Sequence, residues 1–255
     1  MGDVTVKEIT AFIEQNIQSF HQRRLENLVK LKLRDVLKRK NPYLYKAKHI
    51  VDAHDLVKGL LEAHLSSQEE GIFGNFLEEL AIFICARTFS GRKSSAEGID
   101  LEFERDGILY VVSIKSGPNW GNSRQISKMK DDFIRAKRVL RTSGHSRQVE
   151  AVNGCCYGRD TKPDKGIYSK LCGESFWELV SGQNGLYLEL IEPLGHQAKE
   201  RNEAFQIEYG KVINRFTKQF IEEFCDSEGQ IEWQKLVKFN SGKEAEKKVR
   251  RQKEQ

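Results

Sequence analysis

The chain has 255 residues, 38% of them hydrophobic and 31% charged, with a formal net charge of +5 and a pI near 8.8. That length and apolar fraction suit a folded protein with one large domain or two small ones. No apolar run reaches the roughly 20 residues needed to cross a bilayer, and the opening MGDVTVKEIT lacks the basic-then-apolar pattern of a secretory leader, so the sequence predicts a cytoplasmic protein with no membrane partner.

Val6, Ile9, Phe12, Ile13, Ile17 and Phe20 recur at helical spacing and predict a helix over residues 5–40. Asn41-Pro42 stops it, because the residue before proline is pushed out of the helical region. A second helix is expected over about 53–65 and a third from about 70 or 74 to 88. The period then changes to two. Leu101 and Phe103 alternate with Glu102 and Glu104, Asp106-Gly107 supplies hairpin-turn chemistry, and ILYVVSI reads as a central strand covered on both faces. A helix follows over 123–141, a strand over 150–157, a loop over 158–167 and a short helix over 174–180. A short strand at 186–190, a long helix over 197–225 and a last helical piece over 228–239 complete the pattern. The expected class is α/β, a central mixed sheet flanked by helices with a helical N-terminal region. Along the chain this divides into a helical region over residues 1–68, a core over 69–240, and a charged tail over 241–255.

Five cysteines (Cys85, Cys155, Cys156, Cys172 and Cys225) form an odd set without a CxxC, which favours buried reduced thiols over disulfides or a zinc site. Charge is unevenly distributed. Residues 23–48 carry ten Lys/Arg against Glu26 and Asp35, residues 61–108 carry ten Asp/Glu against four Lys/Arg, and residues 113–141 carry eight Lys/Arg against Asp131 and Asp132. Solvated helix faces explain such an alternation. So does an acidic metal site inside a cleft for a polyanion.

The hairpin GIDLEFERDGILYVVSIKSG puts Asp100 at the start of one strand and Lys115 at the end of its neighbour. Across a ladder those side chains can meet. A carboxylate can ligate Mg2+, and a nearby ammonium can orient water and offset developing charge, the chemistry of phosphodiester cleavage. An edge acid and an edge lysine of no chemical consequence would give the same spacing. After Lys115, SGPNWGNSRQ offers a polar loop suited to phosphate contact, or an ordinary strand-to-helix connection.

The run EEGIFGNFLEELAIFI at 69–84, GIDLEFERDG at 98–107 and VSIKSGPNWGN at 112–122 resembles the PD-(D/E)xK nuclease superfamily. With NPYLY at 41–45, CCYGRD at 155–160 and YSKLCGESFWELVSG at 168–182, it is similar to type II restriction endonucleases that read interrupted GGNCC-type palindromes. The resemblance covers roughly residues 25–240 and makes residues 69–240 the nuclease core. It implies Asp100 as the metal-binding acid, Lys115 as the catalytic lysine, and the Ile114 backbone carbonyl as a further Mg2+ ligand. It departs from the pattern at Ser113, where the family usually has Asp or Glu; either Ser113 serves in the catalytic set by binding the metal through water, or another carboxylate has taken over the role. Glu79, one helical period from Phe76 and Phe83, is the leading replacement acid, with Glu78 beside it and Asp131 and Asp132 on the next helix as alternatives. The resemblance further implies double-stranded DNA as substrate, 5′-phosphate ends, a homodimer, and a cognate DNA methyltransferase. The N-terminal helix and the 197–225 helix, with its stripe of Phe205, Ile207, Val212, Phe216 and Phe220, are candidate dimer-interface elements, although core packing explains the stripe equally well. Arg23, Arg24, Lys38, Arg39, Lys40, Asn119, Asn122 and Arg124 are the candidate DNA contacts. Other nucleases of the superfamily, acting in repair, junction resolution or transposition, remain open on these residues, as does a DNA-binding module that has lost catalysis at Ser113.

Overall fold

The computed structural model describes residues 4–142 and 148–243. The elements in order are α1 (Val6–Lys30), α2 (Leu33–Arg39), α3 (Pro42–Ala47), α4 (Ala53–Phe89), β1 (Arg92–Lys93), β2 (Leu101–Arg105), β3 (Ile108–Lys115), α5 (Ser123–Thr142), β4 (Gln148–Cys155), β5 (Ser169–Cys172), α6 (Glu174–Ser181), α7 (Leu186–Glu189), α8 (Ile191–Leu194), α9 (Ala198–Phe224) and α10 (Trp233–Ser241). They form two compact units, residues 1–24 with 68–203 and residues 25–67 with 204–255. The units interleave along the chain, whereas the sequence divides it linearly at residues 68 and 240.

The first unit holds the five-stranded sheet, ordered β1-β2-β3-β4-β5. The β1-β2 and β2-β3 pairs are antiparallel, while β3-β4 and β4-β5 are parallel. β3 is the middle strand. Its apolar run is explained by cover on both faces. Val112 and Ile114 pack with Leu101, Phe103, Val152, α1, α4 and α6, including Ile13, Leu80, Ile84 and Phe176. Val111 faces the other way and packs with Val149, Ala151 and the α5 residues Met129, Phe133 and Ala136. The hairpin turn follows from Asp106 (φ 53°) and Gly107 (φ 77°), the left-handed pair that a two-residue turn requires. The second unit packs Leu33, Val36, Leu37, Tyr45, Leu56, Leu61, Val212, Phe216, Phe220 and Leu236 into a helical core.

Several expected elements differ. The helix expected over 5–40 breaks at Lys32, whose extended backbone (φ −114°, ψ 139°) re-phases Leu33, Val36 and Leu37 towards the second unit's core. The two helices expected over 53–65 and 70–88 are one helix of 37 residues. The intervening SSQEEG contains no proline, and its glycine costs only about 1 kcal/mol in a helix. Residues 186–190 are helical, not a strand. Leu186 and Leu190 are buried and four residues apart, while Leu188 between them is exposed, which is the period of a helix turn. The strands β1 and β5 have no counterpart among the expected elements. Each is short and carries little apolar pattern. The charged tail lies mostly outside the described residues. All five cysteines are free and buried.

Gly154 in β4 lies against Phe176 of α6, so that an added methyl would stand 2.2 Å from the ring carbon Cε2. Because Phe176 is fully buried, Gly154→Ala is expected to cost about 1–3 kcal/mol through overpacking. A lowered midpoint in urea unfolding checks this; an unchanged midpoint contradicts the packing.

Candidate active site

Asp100 stands immediately before β2, and the ladder slips by one residue there. Its N–H bonds the Val112 carbonyl at 2.9 Å, although the register partner of Val112 is Leu101. The slip has a visible consequence. Ile99 is buried on the α5 side of the sheet and Leu101 on the opposite side, two residues apart where a regular strand would put them on one face. Such irregularities re-aim side chains at strand ends. Here the Asp100 carboxylate turns onto the end of β3, where its Oδ2 accepts the Ile114 N–H at 2.7 Å and the buried Ser113 hydroxyl at 3.4 Å. The N–H and C=O of a strand residue point towards the same neighbour, so the Ile114 carbonyl is directed to this edge too.

Lys115, the last residue of β3, brings Nζ to 3.7 Å from Asp100 Oδ2. Its ammonium also lies 5.3 Å from the centre of the Trp120 ring, a cation–π contact. Trp120 is fixed in turn, since its Nε1 donates to Asn153 Oδ1 at 3.1 Å and Asn153 Nδ2 donates to the Ser113 carbonyl at 3.2 Å. Neither Trp120 nor Asn153 is a sequence candidate. The tryptophan in the PNWGN loop is the one signal that pointed to either.

Two further acids, Glu78 and Glu79, stand side by side on α4. Glu78 is half-buried and Glu79 exposed, because successive helical residues diverge by about 100° and the buried arc runs through Phe76, Leu77, Leu80, Ala81 and Ile84. Burial, and then the charge of Asp100, raise the Glu78 carboxyl above its ordinary value of 4.5, with Lys93 and Lys115 opposing. Lys93 Nζ is 3.9 Å from Glu78 Oε1. Thus Glu78 lies within the field of Asp100 and Lys115, and both Glu78 and Glu79 line a cavity of about 540 Å³ with Arg23, Asn16, Asn75 and Lys93. On α5, Asp131 is exposed. Asp132 is buried, with Oδ2 bound to Lys128 at 3.0 Å.

Several expected DNA contacts are engaged elsewhere. Arg24 pairs with Glu69 and donates to Asn202. The Lys40 ammonium donates to the Ala63 carbonyl at 2.7 Å. Asn122 caps α5, its Oδ1 accepting the Gln125 N–H at 3.0 Å while Gln125 Oε1 accepts the Asn122 N–H at 2.9 Å. Arg23, Asn119 and Arg124 are exposed in the first unit, and Lys38 and Arg39 in the second.

The donors around Asp100 are all hard oxygens. Among the described residues, no cluster of three or more His, Cys, Asp or Glu could hold a metal. Two carboxylates with a backbone carbonyl nevertheless fit Mg2+, which uses one or two carboxylates and keeps waters and substrate oxygens rather than occupying a protein cage. Burial is the main cause of the raised Glu78 carboxyl, and the Asp100 charge that adds to it is what a divalent cation would relieve.

A five-stranded mixed sheet flanked by helices, with a helical N-terminal region, is consistent with a restriction-endonuclease-like fold. The family model of the type II restriction endonuclease EcoO109I matches residues 7–202. The chain belongs to that family and is a type II restriction endonuclease, an enzyme that cuts DNA at specific sequences. No curated protein matches the chain. No helix among the described residues is long and apolar enough to cross a membrane.

The raised Glu78 carboxyl has a consequence for stability without metal. A folded-state value above the unfolded one means the folded protein binds more protons, so stability falls as pH rises from about 4.5 through the raised value. Glu78→Gln is expected to flatten that decline. Urea unfolding between pH 4 and 8 in a chelator reads it, and a slope equal to wild type contradicts the placement of Glu78.

Proposed function

We propose that the chain hydrolyses double-stranded DNA with Mg2+ at an interrupted palindrome of the GGNCC type, leaving 5′-phosphate and 3′-hydroxyl ends. The observation that carries this reading is the approach of Lys115 Nζ to Asp100 Oδ2 at the end of the middle strand. Asp100, Glu78 and the Ile114 carbonyl would hold the cation. When bound, a divalent cation supplies polarisation of a phosphoryl oxygen and acidification of water.

The chain's own residues do the rest. Ile114 N–H and Ser113 Oγ hold one oxygen of Asp100 in place, which leaves Oδ1 as its outward donor. Ser113, at the position usual for an acid, acts as a hydrogen-bond donor to that acid, and Glu78 provides the second carboxylate. Lys115, restrained over the Trp120 ring, orients the attacking water and offsets the charge that builds on the phosphate. A palindromic site requires two centres related by a two-fold axis, so the working form is a homodimer. A cell carrying this activity needs a DNA methyltransferase acting on the same sequence. Most of the α9 stripe expected at the dimer interface, Phe205, Val212, Phe216 and Phe220, is buried in the second unit's core, and Ile207 is exposed.

Asp100→Ala and Lys115→Ala are each expected to lower the cleavage rate by about 10³-fold or more, the equivalent of several kcal/mol of transition-state stabilisation. DNA affinity should stay largely intact. Digestion of a sequenced plasmid with Mg2+, with mapping of the fragment ends, reads both rate and site. Wild-type cutting by Asp100→Ala ends the proposal.

Glu78→Gln should raise the Mg2+ concentration needed for half-maximal cleavage about 10-fold or more, taking ~1.4 kcal/mol or more for a lost ligand. Glu79→Gln should leave it within about twofold. A Mg2+ titration in which the two variants exchange these behaviours would move the second acid to Glu79.

A further inference from the structure

Among the described residues of the first unit, Asp132 is the one charged side chain that is buried, 4% exposed on α5. A buried carboxylate is costly unless held, and this one is held incompletely. Its Oδ2 takes the Lys128 ammonium at 3.0 Å. Its Oδ1 has no hydrogen-bond partner, Arg135 Nη2 standing 3.6 Å away in ion-pair range only. The carboxylate packs against the backbone of Gly98. A methyl at that glycine would lie 2.3 Å from Asp132 Oδ2, and Gly98 has a φ of +78°.

The residues on either side of Gly98 are tied to the same helix. Glu97 pairs with Lys128 at 3.1 Å and with Arg135 at 3.2 Å. Ile99 is buried among Met129, Phe133 and Ala136. Three consecutive residues, 97 to 99, are therefore anchored on α5 by two ion pairs, a backbone contact and an apolar plug. The next residue is Asp100, where the ladder slips. Asp100 is tied to β3 by its own N–H bond to the Val112 carbonyl, and the three residues that lead into it are tied to α5.

We propose that Asp132 is a positioning residue for the catalytic centre, fixing the backbone that delivers Asp100 through its contact with Gly98 and its ion pairs with Lys128 and Arg135. It touches neither substrate nor metal, being buried and bound to Lys128. This inference rests on the reading of Asp100 as the acid of the site.

The test is single-turnover cleavage at saturating Mg2+ by Asp132→Asn, with DNA affinity measured separately in chelator. Asparagine keeps the shape and removes the charge. The expected result is a loss of about 10- to 100-fold in cleavage rate, as for a displacement near 1 Å of a reacting group, with affinity within about twofold of wild type. A wild-type rate in the folded fraction, even with a lowered unfolding midpoint, overturns the proposal and leaves Asp132 a stability residue. So does a loss at low Mg2+ that saturating Mg2+ restores, since that marks a ligand. Should Asp132→Asn not fold, Glu97→Gln on the exposed rim decides. A several-fold slower rate supports the anchor, and an unchanged rate overturns it. Asp100→Ala is run alongside. If it cuts like wild type, the reading of the site has failed; if it is inactive while Asp132→Asn cuts at full rate, only the positioning role has failed.

Discussion

The Asp100 carboxylate is held by the backbone of the strand beside it. One oxygen accepts the Ile114 N–H at 2.7 Å, and that bond exists because the ladder slips by a residue where β2 begins. A regular strand would place residues 99 and 101 on one face. The slip sends them to opposite faces and turns the acid between them onto the end of β3. A charge-assisted bond from a backbone amide is stronger than a neutral one and involves no flexible side chain on the donor side, so one carboxylate oxygen is fixed with little entropy left to lose.

The rest of the site is arranged around that fixed group. Lys115 follows Ile114 by one residue, so its side chain leaves the sheet on the face opposite Ile114 and reaches the carboxylate from there. Glu78 reaches the same region from α4, whose buried arc packs under β3. Asp100, Lys115 and Glu78 thus stand on or beside three elements, β2, β3 and α4, that share one core. The cost appears in the raised Glu78 carboxyl.

Family membership and site geometry support each other at different levels. The matched span, residues 7–202, includes every element of the sheet and all three of these residues. It does not by itself distribute roles within the site. Ser113, the departure from the superfamily pattern, becomes intelligible once its hydroxyl is seen against Asp100 rather than in place of a missing ligand.

Much of this was legible in the amino-acid order. The hairpin, its Asp106-Gly107 turn, the central strand and the pairing of Asp100 with Lys115 follow from local rules, namely period-two alternation, the left-handed preference of the turn and an unbroken apolar run. Local pattern could not say that 53–89 is a single helix, since a polar interval without proline reads equally as a break. Nor could it tell the helix at 186–189 from a strand, because an alternating LYLEL leaves the choice to burial. The half-burial of Glu78 beside an exposed Glu79, the use of Asn122 as a cap, and the burial of Asp132 against Gly98 depended on which faces other segments cover. Adjacent acids on a helix are equivalent to sequence reasoning until a core is packed against one side. Sequence therefore determined which groups exist and roughly where the chain turns. Tertiary packing decided which of them meet, because burial and distance belong to the folded arrangement and not to any window of residues.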